Sequence, residues 1–359
     1  MTVLLNKIMS AQNTLYNKYR PQTFADIVDQ NHIKITLQNE LVTNKLAHAY
    51  LFTGPRGVGK TTIARILAKA VNCQQRTPEQ SEPCNVCSNC LEVSQNKFLD
   101  LVEIDAASQT KVEQTRENII AAARVSASSG RTKIFIIDEV HMLSTSSFNA
   151  LLKTLEEPPA KVIFILATTE IHKVPETIIS RCQRFDFHRI SVDDLEQWLE
   201  KVCQQEKVEY EKTVLQLIAK QAEGGARDAI SLLGQVLALS DNKVSLDQAS
   251  LILPRSDLSI VSDLVSLLLK KQAAEAIELL NKSLEEGIDL VQLVKELIDY
   301  LRQGLLIKIQ GDKTRLRYDL DKNYYKLLQE QMSKTELTTV LKMLDIMLEK
   351  YLQIKDIKK

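Results

Sequence analysis

Along the first half of the chain, short β-rich runs alternate with stretches whose apolar residues recur every three or four positions. The runs "AYLFT" (49–53), "LDLVEID" (99–105), "KIFIID" (133–138), "VIFILAT" (162–168) and "RFDFH" (184–188) predict strands. Between them, Thr61–Val71, Glu113–Ser126 and Ser146–Glu157 predict helices. In the last, Phe148, Leu151, Leu152 and Leu155 share one apolar face, and Pro158-Pro159 stops the helix. Strands alternating with helices predict a parallel sheet covered on both faces.

After His188 the strand pattern disappears. Asp193–Gln205, Thr213–Ala222, Asp228–Leu239 and Leu246–Leu253 predict a small helical unit, and Pro254 marks a seam. Longer helical patterns follow at Leu258–Lys271, Ala273–Glu286, Leu290–Ile309, Lys322–Gln331 and Thr335–Ile354. The expected domains are therefore 1–190, 191–253 and 254–359.

Composition narrows the class. The 359 residues carry 46 Lys plus Arg against 46 Asp plus Glu, so a surface coated for nonspecific nucleic-acid binding is not expected, although a local basic patch is compatible. The start "MTVLLNKIMSAQN" does not read as a signal peptide, and no apolar run reaches membrane-spanning length; Asp263 interrupts "LSIVSDLVSLLL". The expectation is a soluble, cytoplasmic protein without a membrane partner, in a reducing compartment where clustered cysteines hold metal more often than they form disulfides.

The chemistry starts at "GPRGVGKT", which fits G-x-x-x-x-G-K-[ST] at Gly54, Gly59, Lys60 and Thr61, with Gly57 and Thr62 in the same loop-to-helix segment. Glycines let backbone N–H groups close around phosphate oxygens, and the helix that follows presents its N-terminus. Lys60 would reach the β- and γ-phosphates of ATP, and the Thr61 hydroxyl would ligate Mg²⁺. "IFIIDEVHML" delivers Asp138 and Glu139 to the end of a buried strand, where ligands sit in open α/β sheets. Asp138 would hold Mg²⁺ and Glu139 would polarise the attacking water; a loop start or helix cap is the plainer reading of such a pair. Thr168 and Thr169 end another buried strand, where a hydroxyl can feel the γ-phosphate. Arg181 stands in "SRCQRF", where a surface salt bridge is the plainer reading.

The stretches "YRPQTFADIVDQ", "HAYLFTGPRGVGKTTIARILAKAVNC", "PCNVCSNC", "EIDAAS", "IIDEVHMLSTSSFNALLKTLEEPP", "LATTE", "ISRCQRFDF" and "AEGGARDAISLL" span residues 19–233 in order. Through them the chain resembles the bacterial clamp-loader ATPases, the gamma/tau subunits of DNA polymerase III, within the AAA+ superfamily. The helical remainder resembles that family's collar domain only in length and pattern. The resemblance implies that Tyr19, Arg20 and Pro21, with Ile27 and Val28, border the adenine. It implies Thr169, or else Thr168, as first sensor and Arg227 as second sensor. Arg181 becomes an arginine finger serving the ATP of a neighbouring subunit. A delta-prime relative would lack a working phosphate loop, whereas this one is intact. Where the family pattern "EIDAAS" continues with arginine, this chain has Gln109; Lys111 and Arg116 remain candidates for DNA-phosphate contacts. Ending at Lys359, the chain resembles the shorter gamma form or a truncated chain.

Cys84-x-x-Cys87-x-x-Cys90, with Cys73 upstream, supplies four thiolates, enough for a closed tetrahedral Zn²⁺ site of structural type. An iron–sulfur cluster competes, but "LEVSQN" follows where ferredoxin motifs continue with cysteine and proline; unmetallated thiols are a further alternative. Cys182 and Cys203 read as packed thiols. The five histidines show no ligand spacing.

The expected architecture is an AAA+ P-loop core with a zinc module at about residues 73–90, an all-α lid and an all-α collar. The expected activity is ATP hydrolysis that loads a sliding clamp onto primer–template DNA, with ATP, Mg²⁺ and Zn²⁺ as cofactors. Expected partners are the delta and delta-prime subunits, further gamma/tau copies, the clamp and DNA. Beyond Asp138 and Glu139 there is no polymerase-like set of acidic ligands. Two rival readings are another AAA+ DNA motor, such as a branch-migration helicase, and a noncatalytic scaffold that binds ATP only to assemble.

Overall fold

The computed structural model describes residues 15–108, 127–128, 130–239, 243–249, 252, 258–285, 287–311 and 322–357. The chain divides into two compact units, Met1–Ile252 and Leu253–Lys359.

The first unit is built on the apolar runs. Helix α1 (Asn31–Thr43) leads into β1 (Ala49–Thr53), every residue of which is buried. Helices α2 (Lys60–Asn72) and α3 (Ser88–Ser94) follow, then β2 (Leu101–Asp105), β3 (Lys133–Asp138), α4 (Thr145–Glu156), β4 (Val162–Thr168), α5 (Glu176–Ile179) and β5 (Gln183–Asp186). The sheet is parallel throughout, in the order β2-β3-β4-β1-β5. Strands buried on both faces read as continuous apolar runs, because helices cover each side. On one face Tyr50, Phe52, Ile134, Ile136 and Ile165 pack with Ile33 and Leu37 of α1 and Ile63 and Leu67 of α2. On the other, Leu51, Phe135, Ile137, Phe164 and Leu166 pack with Phe148, Leu151 and Leu155 of α4. This parity follows from the two-residue period of a strand.

Register fixes which ends meet. Thr53 lies opposite Thr168, and Asp105 opposite Asp138. The C-terminal ends of β1, β2, β3 and β4 therefore form one edge, where β4 sits between β1 and β3 and the chain leaves in different directions.

Three helices follow the sheet: α6 (Val192–Glu206), α7 (Lys212–Gln221) and α8 (Ala226–Ala238). Ser191 caps α6 by accepting from the Asp194 N–H at 3.1 Å. Strand structure does not end at His188 as the pattern predicts: β6 (Glu209–Tyr210) pairs in parallel with β7 (Lys243–Val244), and α9 (Leu246–Ala249) follows. Two residues per strand carry no readable alternation. Helices α1 and α3 are likewise unpredicted. The buried positions of α1, Ile33, Leu37 and Leu41, form a narrow stripe among polar residues, closed at each end by left-handed Gln30 and Asn44. The expected helix Glu113–Ser126, with Gln109, Lys111 and Arg116, lies outside the described residues, as does Pro254.

The second unit, described by itself, contains α10 (Leu258–Leu269), α11 (Ala273–Glu285), α12 (Leu290–Gln310), α13 (Lys322–Ser333) and α14 (Leu337–Ile357). Its core gathers Val261, Val265, Leu297, Leu301, Leu328 and Val340. Tyr300 donates to Gln331 Oε1 at 2.8 Å, while Gln331 Nε2 donates to Ser266 Oγ at 2.7 Å, so these three polar side chains partner one another inside the bundle. Gly304 allows α12 and α13 to touch: a Cβ there would sit 2.7 Å from Met332 Sδ.

Candidate functional site

The loop between β1 and α2 has the conformation its glycines permit. Gly54, Gly57 and Gly59 all have positive φ, and a Cβ on Gly54 would lie 2.3 Å from the Phe187 carbonyl oxygen. Helix α2 then begins at Lys60 with no acidic residue in its first turn, leaving the positive end of its dipole uncompensated from within. Lys60 Nζ donates to the carbonyls of Gly54 and Pro55, each at 2.7 Å, so the lysine folds back across its own loop. Burial pushes its ammonium below the ordinary lysine range, against the upward pull of Glu139 and Asp138.

Seventy-seven positions separate Thr61 from Asp138, yet Thr61 Oγ1 donates to Asp138 Oδ2 at 2.7 Å. A hydroxyl and a carboxylate in contact are the hard oxygen donors that suit Mg²⁺. Glu139 adopts φ 47, a backbone conformation rare outside glycine and enriched at functional sites. Its Oε2 accepts from the Thr169 N–H at 3.3 Å and the Thr169 hydroxyl at 2.9 Å. Thr168 is fully buried, with its hydroxyl 3.0 Å from His141 Nδ1. His141 also approaches Glu139 Oε2 at 3.4 Å and Glu170 Oε2 at 3.0 Å. Sequence spacing gives no hint of this His141 network, because its members come from the ends of two strands.

Lys60, Thr61, Asp138 and Glu139 open onto a cavity of about 510 Å³. Gly57, Gly59, Lys60, Thr61, Thr62, Asp138 and Glu139 form one side; Tyr19, Arg20, Pro21, Ile27 and Val28 form another. Arg227 of α8 faces them, and its backbone N–H donates to Gly57 O at 3.3 Å. Its guanidinium lies 5.0 Å from the Tyr16 ring centroid, a cation–π contact. The chain reading missed Tyr16, Arg56, Asp105, Trp198 and Ile230 in the lining; Trp198 and Ile230 lie within ordinary amphipathic helices and carry no separate signal. Arg20 Nε is buried and has no hydrogen-bond partner among the described residues. Burial, then repulsion from Arg65, pushes its guanidinium below the ordinary arginine range.

Arg181, Thr168, Thr169 and Gly54 do not line this cavity. Arg181 is partly exposed, donating to Glu156 Oε1 at 2.7 Å and to the Thr177 carbonyl at 2.8 Å.

Cys73, Cys84, Cys87 and Cys90 converge with all four Sγ atoms within 4.8 Å of one another. Tetrahedral Zn²⁺ with bonds of about 2.3 Å needs sulfurs about 3.8 Å apart, and Cys84 Sγ lies 4.0 Å from Cys90 Sγ. Backbone N–H groups of Cys84 and Cys87 point at Cys73 Sγ and Cys84 Sγ, at 3.4 and 3.3 Å. The donor set therefore fits a zinc ion. Cys182 and Cys203 stand apart; burial pushes their thiols up to about 12 and about 11, as expected of packed, inert cysteines.

Three family models match in succession: "DNA polymerase III, delta subunit" over residues 29–191, "DNA polymerase III clamp loader subunit, ATPase lid domain" over 194–242, and "DNA polymerase III subunits gamma and tau domain III" over 244–349. The chain is 43% identical over 345 residues to DNA polymerase III subunit tau of Bacillus subtilis, covering 95% of this chain and 60% of that one. It is 44% identical over 295 residues to the tau subunit of Escherichia coli, covering 82% and 45%. To DNA polymerase III subunit gamma of Buchnera aphidicola subsp. Acyrthosiphon pisum it is 41% identical over 290 residues, covering 80% and 79%. The chain thus spans 60% and 45% of the length of those two tau relatives. Among solved structures, the Thermotoga maritima RuvB Holliday junction branch migration motor matches with a TM-score of 0.51 at 18% identity, over 76% of this chain and 86% of that one. At that identity the likeness is one of fold alone.

Proposed function

The chain belongs to the DNA polymerase III gamma/tau subunit family, and from that membership and the site geometry we propose that it is an ATP-hydrolysing subunit of a clamp loader. It would couple ATP binding and hydrolysis to placing a sliding clamp on primer–template DNA. The observation that carries this reading is the meeting of Thr61, Asp138, Glu139 and Arg227 around the phosphate loop in one cavity. Residues 1–190 would form the ATPase core, 191–253 the lid and 254–359 the collar.

In this reading the loop N–H groups and Lys60 take the phosphates of ATP, and Arg227 reaches them from the lid. Lys60 must exchange its two carbonyl partners for phosphate oxygens, which its long side chain permits. Thr61 and Asp138 would hold Mg²⁺, which supplies charge neutralisation at the phosphates when bound. Glu139 orients and polarises the attacking water, and Thr169, acting through its hold on Oε2, sets the direction of that carboxylate. Tyr19, Arg20, Pro21 and Val28 would border the base. Arg181 would serve the site of an adjoining copy, and Cys73, Cys84, Cys87 and Cys90 would bind a structural zinc. Partners would be the delta and delta-prime subunits, further copies of this chain, the clamp and DNA.

The test is ATP turnover by the assembled complex with and without primed DNA and clamp. Stimulation by both supports clamp loading. ATP binding without turnover in any assembly would reduce the chain to a scaffold, and directional movement on duplex DNA would favour a branch-migration motor.

A further inference from the structure

The cysteine insertion touches the cavity wall through an acidic side chain that no motif singles out. Glu82 lies two residues before Cys84, yet its carboxylate reaches back to the N-terminal segment. Oε2 accepts from the Phe24 N–H at 2.8 Å and Oε1 from the Ala25 N–H at 3.2 Å. Gln38 Nε2 of α1 donates to Oε1 at 2.9 Å. Two successive backbone N–H groups on one carboxylate fix the course of the chain just before Ile27 and Val28, which line the cavity.

A second bridge runs from the phosphate helix. Lys69 of α2 is 4% exposed; its Nζ donates to Asn85 Oδ1, beside Cys84, at 3.0 Å and also to Gln22 Oε1. Gln22 Nε2 in turn donates to the Arg20 carbonyl at 2.8 Å. The insertion, the phosphate helix and the Tyr19–Val28 wall therefore share one hydrogen-bonded frame.

We propose that Glu82 is a positioning residue for the nucleotide cavity, transmitting the order of the cysteine insertion to the Tyr19–Val28 wall, so that filling the four-thiolate site and binding nucleotide reinforce each other. Phe24 is fully buried, and Asp26 Oδ2, accepting from the Gln22 and Thr23 N–H groups, shapes the turn from within, but neither ties that turn to the cysteine insertion. The Glu82 carboxylate supplies that tie, and it is held in turn by Gln38 of α1 and by the chain leading into Cys84. Linkage is reciprocal, so whatever factor metal adds to nucleotide affinity, nucleotide must add to metal affinity.

The proposal rests on the ATP reading of the cavity, and the experiment separates the two. ADP binding to the full chain is measured by calorimetry for the unaltered protein, Glu82→Ala, Glu82→Gln and Lys60→Ala, with metal content and thermal unfolding recorded for each. The expected result is an ADP Kd raised about tenfold in Glu82→Ala, within the usual range for coupled sites. Glu82→Gln, which keeps one acceptor oxygen, should lie between Glu82→Ala and the unaltered chain. Chelation followed by Zn²⁺ restoration should weaken and then recover ADP binding in the unaltered chain, with a much smaller swing in Glu82→Ala. An unchanged Kd in Glu82→Ala at full metal content overturns the coupling while leaving the ATP site standing. Absence of ADP binding to the unaltered chain overturns both. If Glu82→Ala does not fold, the Gln variant and the chelation cycle decide: no change in Kd in either rejects the proposal.

Discussion

Thr169 grips Glu139 twice through one oxygen: its hydroxyl and its backbone N–H both donate to Glu139 Oε2, at 2.9 and 3.3 Å. The donors leave the end of β4 and the acceptor leaves the end of β3, so neighbouring strands hold the carboxylate in place.

Two substitutions separate chemistry from orientation at that contact. Glu139→Gln should retain ATP binding but slow turnover by about 10²–10⁴, the usual worth of a positioned general base. Thr169→Ala leaves the carboxylate present but loose and should lower kcat by about 10–100-fold with little change in KM. Single-turnover ATP hydrolysis checks both; a Glu139→Gln protein with the parental rate would remove Glu139 from the chemistry.

Lys60→Ala should act on binding rather than on chemistry alone. A hydrogen bond to a charged group is worth about 1.5–3 kcal/mol, so ATP affinity should fall by about 10–100-fold. Equilibrium titration with a non-hydrolysable ATP analogue measures this directly.

At Gly54 the backbone has φ 143, and a Cβ would collide with the Phe187 carbonyl at 2.3 Å. Since that carbonyl is backbone, relief requires moving the loop or the chain beyond β5. Gly54→Ala should therefore lower the unfolding temperature of the first unit and abolish ATP binding. Gly59→Ala meets no atom within 4 Å and suffers only from its φ of 106, so its loss of stability should be smaller.

The cysteine cluster predicts one zinc per chain. Any single Cys→Ser change among Cys73, Cys84, Cys87 and Cys90 should reduce zinc content and local stability more than the rate of the chemical step. Elemental analysis of anaerobically purified protein decides the metal; iron with visible absorbance, or no metal, would reject zinc.

Arg181 lies off the cavity and pairs with Glu156, so its proposed role in trans is tested by mixing. Arg181→Ala and Lys60→Ala chains should each be nearly inactive, because an arginine supplied in trans is worth about 10³–10⁵ in rate. Co-assembled, they should regain turnover at interfaces joining an intact loop to an intact Arg181. No recovery despite demonstrated co-assembly would end the trans role.

The local chemistry was legible in the chain itself. A loop such as Gly54–Thr61 needs particular residues at fixed neighbouring positions, and the buried strands β1, β3 and β4 show as apolar runs because the sheet is covered on both faces. The four cysteines announced a shared site by close spacing, and the helical second unit showed its period along nearly all its length. What the chain could not display were relations between distant elements. The order β2-β3-β4-β1-β5 sets Thr169 against Glu139 and Thr61 against Asp138, and strand pairing leaves no trace in either segment alone. Helix α1 escaped notice because only three of its thirteen residues are buried, and β6 and β7 because two residues cannot express a period. Glu82 is the clearest case. In the sequence it is one acid in a polar insertion, and only folding brings it to the backbone of Phe24 and Ala25. Sequence determines what each segment can form; tertiary structure decides which chemically ordinary side chain finds a distant backbone to hold.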